Sequence, residues 1–149
     1  MAVDRNDPYA AFNFRVTITP RAGNEVRGAF SDVSGLSTEV TYADYREGTD
    51  ARNHARKVPT VYKVGDITLK RGVMGKLDLF QWMELVRTGN QDARATVVIQ
   101  MLAEDGTDAA MWTLTNARPS KWTGPTFGAT STNVAMEELV LVAEDMQFE

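Results

Sequence analysis

A single histidine, His54, and no cysteine leave this 149-residue chain short of the usual catalytic parts. Without a thiol there is no cysteine nucleophile, no disulfide and no cysteine-ligated zinc or iron–sulfur centre. A Ser-His-Asp arrangement would have to be built on His54, which stands in a charged segment and reads as solvated or as part of a contact. Zinc would have to be held mostly by carboxylates, against its preference for nitrogen and sulfur ligands. The acidic pairs Glu104-Asp105, Glu137-Glu138 and Glu144-Asp145 are adjacent in sequence. Neighbours in a strand point to opposite faces, so these pairs share no dyad, and each reads as solvated surface. The glycines form neither a P-loop nor a dinucleotide fingerprint. The nearest Gly-rich stretch, residues 70–75, opens on Lys70 and Arg71. Two cations before a helix could take an anion, but a strand-to-helix turn is the simpler reading. The expectation is a protein that is not an enzyme and needs no cofactor or metal.

Arg52, Arg56, Lys57 and Lys63 form a local basic cluster with Tyr62 nearby. Such a patch can stack and neutralise a nucleic acid. The whole chain is acidic, however, with formal charge −4 and pI about 5.1. A contact with acidic groups of another subunit fits that background better. The first residues carry no apolar core of a signal peptide. No apolar run approaches the roughly 20 residues of a membrane helix. A soluble protein made in the cytoplasm, without membrane insertion, is expected.

The elements that must hold these groups are mostly strands. Phe12, Phe14, Val16 and Ile18 alternate with Asn13, Arg15, Thr17 and Thr19, the period of a half-buried strand. Further extended segments cover 25–30, 37–46, 64–71, 95–103, 111–118 and 134–143, with Pro119 expected to end the fifth of these. Segment 37–46 has no purely apolar face, which suggests a partner beyond a monomer core. Residues 77–88 have helical periodicity through Leu79, Phe80, Met83 and Val86, with Gly89-Asn90 as the stop. Residues 47–63 are polar and interrupted by Gly48 and Pro59, and read as a protruding loop or hairpin. Trp82, Trp112 and Trp122 read as core or interface anchors. The sum is one domain over 1–149, mainly β, a barrel or sandwich of about seven antiparallel strands with one flanking helix.

Several stretches in order then resemble one family. They include residues 7–16 (DPYAAFNFRV), 30–36 (FSDVSGL), 45–48 (YREG), 54–59 (HARKVP), 67–73 (ITLKRGV), 79–83 (LFQWM), 116–125 (NARPSKWTGP) and 133–141 (NVAMEELVL). Together they resemble the tube proteins of contractile phage tails and contractile injection systems, related in form to type VI secretion tubes. The resemblance implies the tail-tube fold. It also implies homohexameric rings whose sheets join into one inner barrel and which stack into a hollow tube. The implied partners are further copies of the chain, a surrounding sheath protein, baseplate or initiator and terminator proteins, and DNA or effector cargo in the bore. The implied location is a phage tail or injection particle. Strands 37–46 and 64–71 would line the bore, offering Glu39, Thr41, Asp44, Asp66, Thr68 and Lys70. Segment 47–63 would reach the adjacent ring through Glu47, Asp50, Arg52, His54, Arg56 and Lys57. Six acidic subunits would give an acidic, hydrophilic bore. The alternatives are a tube initiator or cap at the baseplate, a small β-barrel ligand-binding protein, and a nucleic-acid binder.

Overall fold

The computed structural model describes residues 13–21, 25–28, 30–46, 48, 55–73, 75, 77–130 and 132–149. Among them run β1 (Phe14–Pro20), β2 (Val26–Gly28), β3 (Asp32–Ser34), β4 (Thr38–Tyr45), β5 (Arg56–Val64) and β6 (Ile67–Gly72). Helix α1 (Asp78–Arg87) and a single 3-10 turn (Gln91–Ala93) follow. The chain then forms β7 (Ala95–Leu102), β8 (Asp108–Thr123), β9 (Met136–Val142) and β10 (Asp145–Phe148).

All strand pairs are antiparallel. Eight strands make one curled sheet in the order β2-β1-β7-β8-β9-β6-β3, with β10 added beside β8. The inward rows are those of the alternating apolar residues. Val16 faces Ile99 and Ile18 faces Val97 across β1 and β7. Val97 in turn meets Leu114 of β8. In the other half of the sheet, Leu69 lies opposite Leu139 and Ile67 opposite Leu141. All nine of these side chains are buried. Each contributes about 1.5–3 kcal/mol relative to exposure. Curling the sheet lets its two halves share this core, which is the barrel-like form expected for a mainly β chain with one helix.

Strand β8 makes the curl. It is 16 residues long and belongs to both halves, pairing with β7 over its first part and with β9 over its last. At the transition Asn116 adopts φ 52°, a left-handed conformation that Asn tolerates better than most residues. Its side-chain amide donates to Glu144 Oε2 at 2.8 Å, in the break between β9 and β10, and Glu144 N–H donates to Thr115 O at 3.0 Å. Pro119 therefore does not end the strand. It sits buried at a register shift, where the ladder asks for no N–H from it.

Helix α1 packs Leu79 and Trp82 into the core, and the Trp82 indole N–H donates to Ala93 O. Its end is closed by Gly89 N–H to Val86 O and Asn90 N–H to Leu85 O, as the Gly-Asn signal implied. The reading of Glu137 as solvated surface does not hold. Glu137 is 5% exposed, facing inward directly across from Arg71.

Candidate assembly surfaces

Strands β4 and β5 stand apart from the curled sheet as a two-stranded ribbon. Every residue from Thr38 to Tyr45 and from Arg56 to Lys63 is exposed; only Val64, at the root, is buried. Segment 47–63 is thus strand over its second part, registered against β4 from Tyr45–Arg56 to Thr38–Val64. The ribbon leans on β10, where the Tyr62 hydroxyl donates to Met146 O at 3.5 Å. Val40, Tyr42, Tyr45, Val58, Val61 and Tyr62 are left 41–60% exposed. Apolar area on this scale costs free energy in water unless something covers it. Neither strand has a second pairing partner among the described residues, so both edges offer backbone donors and acceptors.

The root of the ribbon is narrow. Gly35, at φ +88°, passes so close to the β5–β6 link that a Cβ there would stand 2.1 Å from Asp66 O. Gly65 N–H donates to Ser37 O at 2.9 Å, tying the two legs together.

The expected contact residues fall into three groups. Glu47, Asp50, Arg52 and His54 lie outside the described residues. Arg56 and Lys57 open β5 at the distal end of the ribbon, and Lys57 pairs with Asp44 across the strands. Both members of that pair are well exposed, so it adds little stability. The third group, the expected bore residues, is divided. Alternation along β4 puts Glu39 and Thr41 on one face and Asp44 on the other. Asp66 is exposed in the link before β6. Thr68 and Lys70 share the outward face of β6. There Lys70 lies in a row with Asp32 of β3 and Glu138 of β9, its ammonium 4.0 Å from Glu138.

Beside that row is a cleft of about 600 Å³, roofed by the segment between β8 and β9. Phe127 and Val134 stand on its rim, 86% and 76% exposed. Neither position was singled out from the sequence, since nothing in a Gly- and Thr-rich loop marks where its apolar residues will point.

Below the cleft lies a buried ion cluster that the sequence also concealed. Arg71 is 4% exposed. Its Nε donates to Glu137 Oε1 at 2.5 Å and its terminal nitrogens donate to both carboxylate oxygens of Asp78. Glu137 accepts a further bond from the Trp122 indole at 3.2 Å, and Phe80 meets Trp122 edge-on at 5.2 Å. Burial alone would lower the Arg71 pKa, but the hydrogen bonds and charges of Asp78 and Glu137 outweigh it and hold it above the ordinary arginine value. With both oxygens of Asp78 and one of Glu137 engaged, Arg71 has no charge to offer an anion. The cluster instead fixes the first turn of α1 to β6 and β9. Among the described residues, no group of three His, Asp or Glu side chains could hold a metal ion. Nor, among these residues, is any helix long and apolar enough to cross a membrane.

The surfaces that stand ready are therefore an unpartnered ribbon, a polar outward sheet face and an apolar-rimmed cleft, all suited to contacts between proteins. Known proteins agree with that description. A chain of the anti-feeding prophage baseplate, solved by cryo-EM with six-fold symmetrisation, is 27% identical with TM-score 0.85, covering 97% of each chain. A chain of the PVC extracellular contractile injection system, in its extended sheath–tube complex, is 29% identical with TM-score 0.82, covering 97% of this chain and 93% of that one. A chain in the anti-feeding prophage tube-terminating cap is 28% identical with TM-score 0.82, covering 100% and 95%. Hcp1 from Flavobacterium johnsoniae, 21% identical with TM-score 0.52 over 90% and 94%, shares the fold alone. No curated protein sequence matches the chain. The family model described as T4-like virus tail tube protein gp19 matches residues 10–147, so the chain belongs to that family, as a structural subunit of the tube type.

Proposed function

We propose that six copies of this chain close into a ring and that rings stack into a hollow tube inside a contractile sheath, with DNA or an effector passing through the bore. The ribbon carries this reading. Its 8- and 9-residue strands bury only Val64 of their own side chains, yet expose apolar groups and two free edges. An edge strand that pairs with a neighbouring copy satisfies both demands at once. A contact between two different surfaces of identical chains gives a ring where the rotation closes and a filament where it does not. The six-fold baseplate and the sheath–tube complex that contain similar chains support the ring count and the sheath partner. In this arrangement Glu39 and Thr41 near the root of the ribbon, with Thr68 on β6, face the bore, and Lys70 stands where that face meets the mouth of the cleft. The distal end, with Arg56, Lys57 and the 47–54 segment, reaches the adjacent ring.

Negative-stain electron microscopy of the purified protein at high concentration is the test. Hollow tubes or rings are expected; particles that stay monomeric, even with baseplate components added, would sink the proposal. Reversing charge at Arg56 and Lys57 should block stacking while the melting curve stays cooperative, because neither residue touches the core. Normal tubes from that double variant would remove the distal ribbon from the ring-to-ring contact.

Similar chains also occur in the tube-terminating cap and in the PVC sheath–tube terminator. A second reading follows, in which this chain starts or ends a tube built by another protein. It predicts single rings that never elongate alone but bind the ends of preformed tubes.

A further inference from the structure

We infer that the cleft under Phe127 is the socket for the distal end of the ribbon of a second copy of this chain. The inference rests on the reading that copies of the chain assemble, and adds the surface that receives the ribbon. Charge is the first argument. Across the outward row of β3, β6 and β9, the one cation Lys70 stands between two carboxylates, Asp32 and Glu138, leaving the mouth of the cleft one negative charge in surplus. Over residues 44–57 the cations Arg46, Arg52, Arg56 and Lys57 outnumber the acids Asp44, Glu47 and Asp50 by one. Among the described residues neither Arg46 nor Arg56 has an ion-pair partner, whereas Lys57 is engaged by Asp44. A guanidinium is the donor best matched to a carboxylate, through two parallel hydrogen bonds.

Side-chain type is the second argument. The distal ribbon presents Tyr42 and Tyr45, 56% and 51% exposed, beside Arg46 and Arg56. Tyr and Arg are the residues that most often anchor protein interfaces, and they do so in desolvated pockets. The cleft supplies one, with room for more than one large side chain between Pro125, Phe127 and Val134. Topology is the third argument. The ribbon leaves the body just before Ile67, at the start of β6, and leans towards β10. The cleft lies at the other end of β6, at Lys70 and beside Met136. Within one chain the root of the ribbon and the cleft sit at opposite ends of the same strand. Between two chains they make the head-to-tail contact that a polymer requires.

Two reciprocal variants test this. One carries R46E with R56E; the other carries D32K with E138K. Circular dichroism melting first establishes that each is folded. If D32K/E138K does not melt cooperatively, D32N/E138Q replaces it, with partial loss of assembly expected. Pelleting and electron microscopy then measure assembly. Each reversed variant alone should need a concentration at least about ten-fold higher than wild type. An equimolar mixture of the two should recover assembly, since normal ribbons meet normal clefts and reversed ribbons meet reversed clefts. If both variants alone assemble like wild type, or the mixture of two folded variants fails to recover, the socket is wrong while the tube reading stands. If wild type itself never assembles, the tube reading and the socket fall together.

Discussion

Replacing Arg71 by Met is expected to lower folding stability by about 3–5 kcal/mol, because it leaves buried acid without its counter-charge. The side chains of Arg71 and Glu137 are only 5% and 6% exposed, so water cannot take over the role of the guanidinium. Asp78, at 28%, can partly turn to solvent, and Glu137 carries most of the penalty. The double variant R71M/E137Q should recover more than half of the loss. Its amide is neutral and still offers an oxygen to the Trp122 indole, which would otherwise be orphaned. Urea denaturation read at equal slope checks both values, and R71M within about 1 kcal/mol of wild type would show the cluster to be idle. The pH dependence is also defined. A cation whose folded pKa is raised stabilises fully below its unfolded value and loses that contribution only as pH climbs through the folded one. For Arg71 that window lies above the ordinary arginine range, so the guanidinium adds no pH dependence near neutrality. The thermal counterpart of the R71M loss is a drop in Tm of roughly 10 °C.

The same cluster shows where sequence reading stops. The strands around Val16, Ile67, Val97 and Leu139 are legible because each buries one side of a period-two pattern. Helix α1 is legible through its apolar stripe and its Gly-Asn end. Glu137 is not, because its burial depends on Arg71, a partner 66 residues away. A Glu-Glu pair in an amphipathic strand says nothing of that neighbour. Strand β10 is missed for a related reason. Asp-Met-Gln-Phe has no alternation to detect, and it becomes a strand by pairing with β8 from Trp112 to Thr115. Pro119 misleads because a proline normally ends a ladder, whereas here it stands at a register shift just past the point where the ladder changes partner. The ribbon was half legible. The lack of an apolar face on 37–46 pointed to a surface beyond the monomer core, but the pairing of Arg56–Val64 with it needed the register.

Gly35→Ala is expected to combine a loss of stability of about 2–4 kcal/mol with a loss of assembly. Two penalties add at this position. The residue sits at φ +88°, which L side chains rarely adopt, and its new Cβ would stand 2.1 Å from Asp66 O and 3.2 Å from Asp66 C. Those are backbone atoms of the opposite leg of the ribbon and cannot swing aside. Relief requires the two legs to part, which breaks the Gly65–Ser37 hydrogen bond and re-aims β4 and β5 relative to the curled sheet. Gly106→Ala is the control. Gly106 has φ +86° but nothing within 4 Å of its would-be Cβ, so it should lose only the conformational part, about 1–2 kcal/mol, and assemble normally. Gly35→Asn sharpens the comparison, since Asn tolerates positive φ yet keeps the clashing Cβ, and no recovery is expected. If Gly35→Ala assembles at the wild-type concentration, the direction of the ribbon does not matter to the contact between subunits. If it folds with a cooperative transition but no longer assembles, a single close approach between two backbones determines how this subunit meets the next.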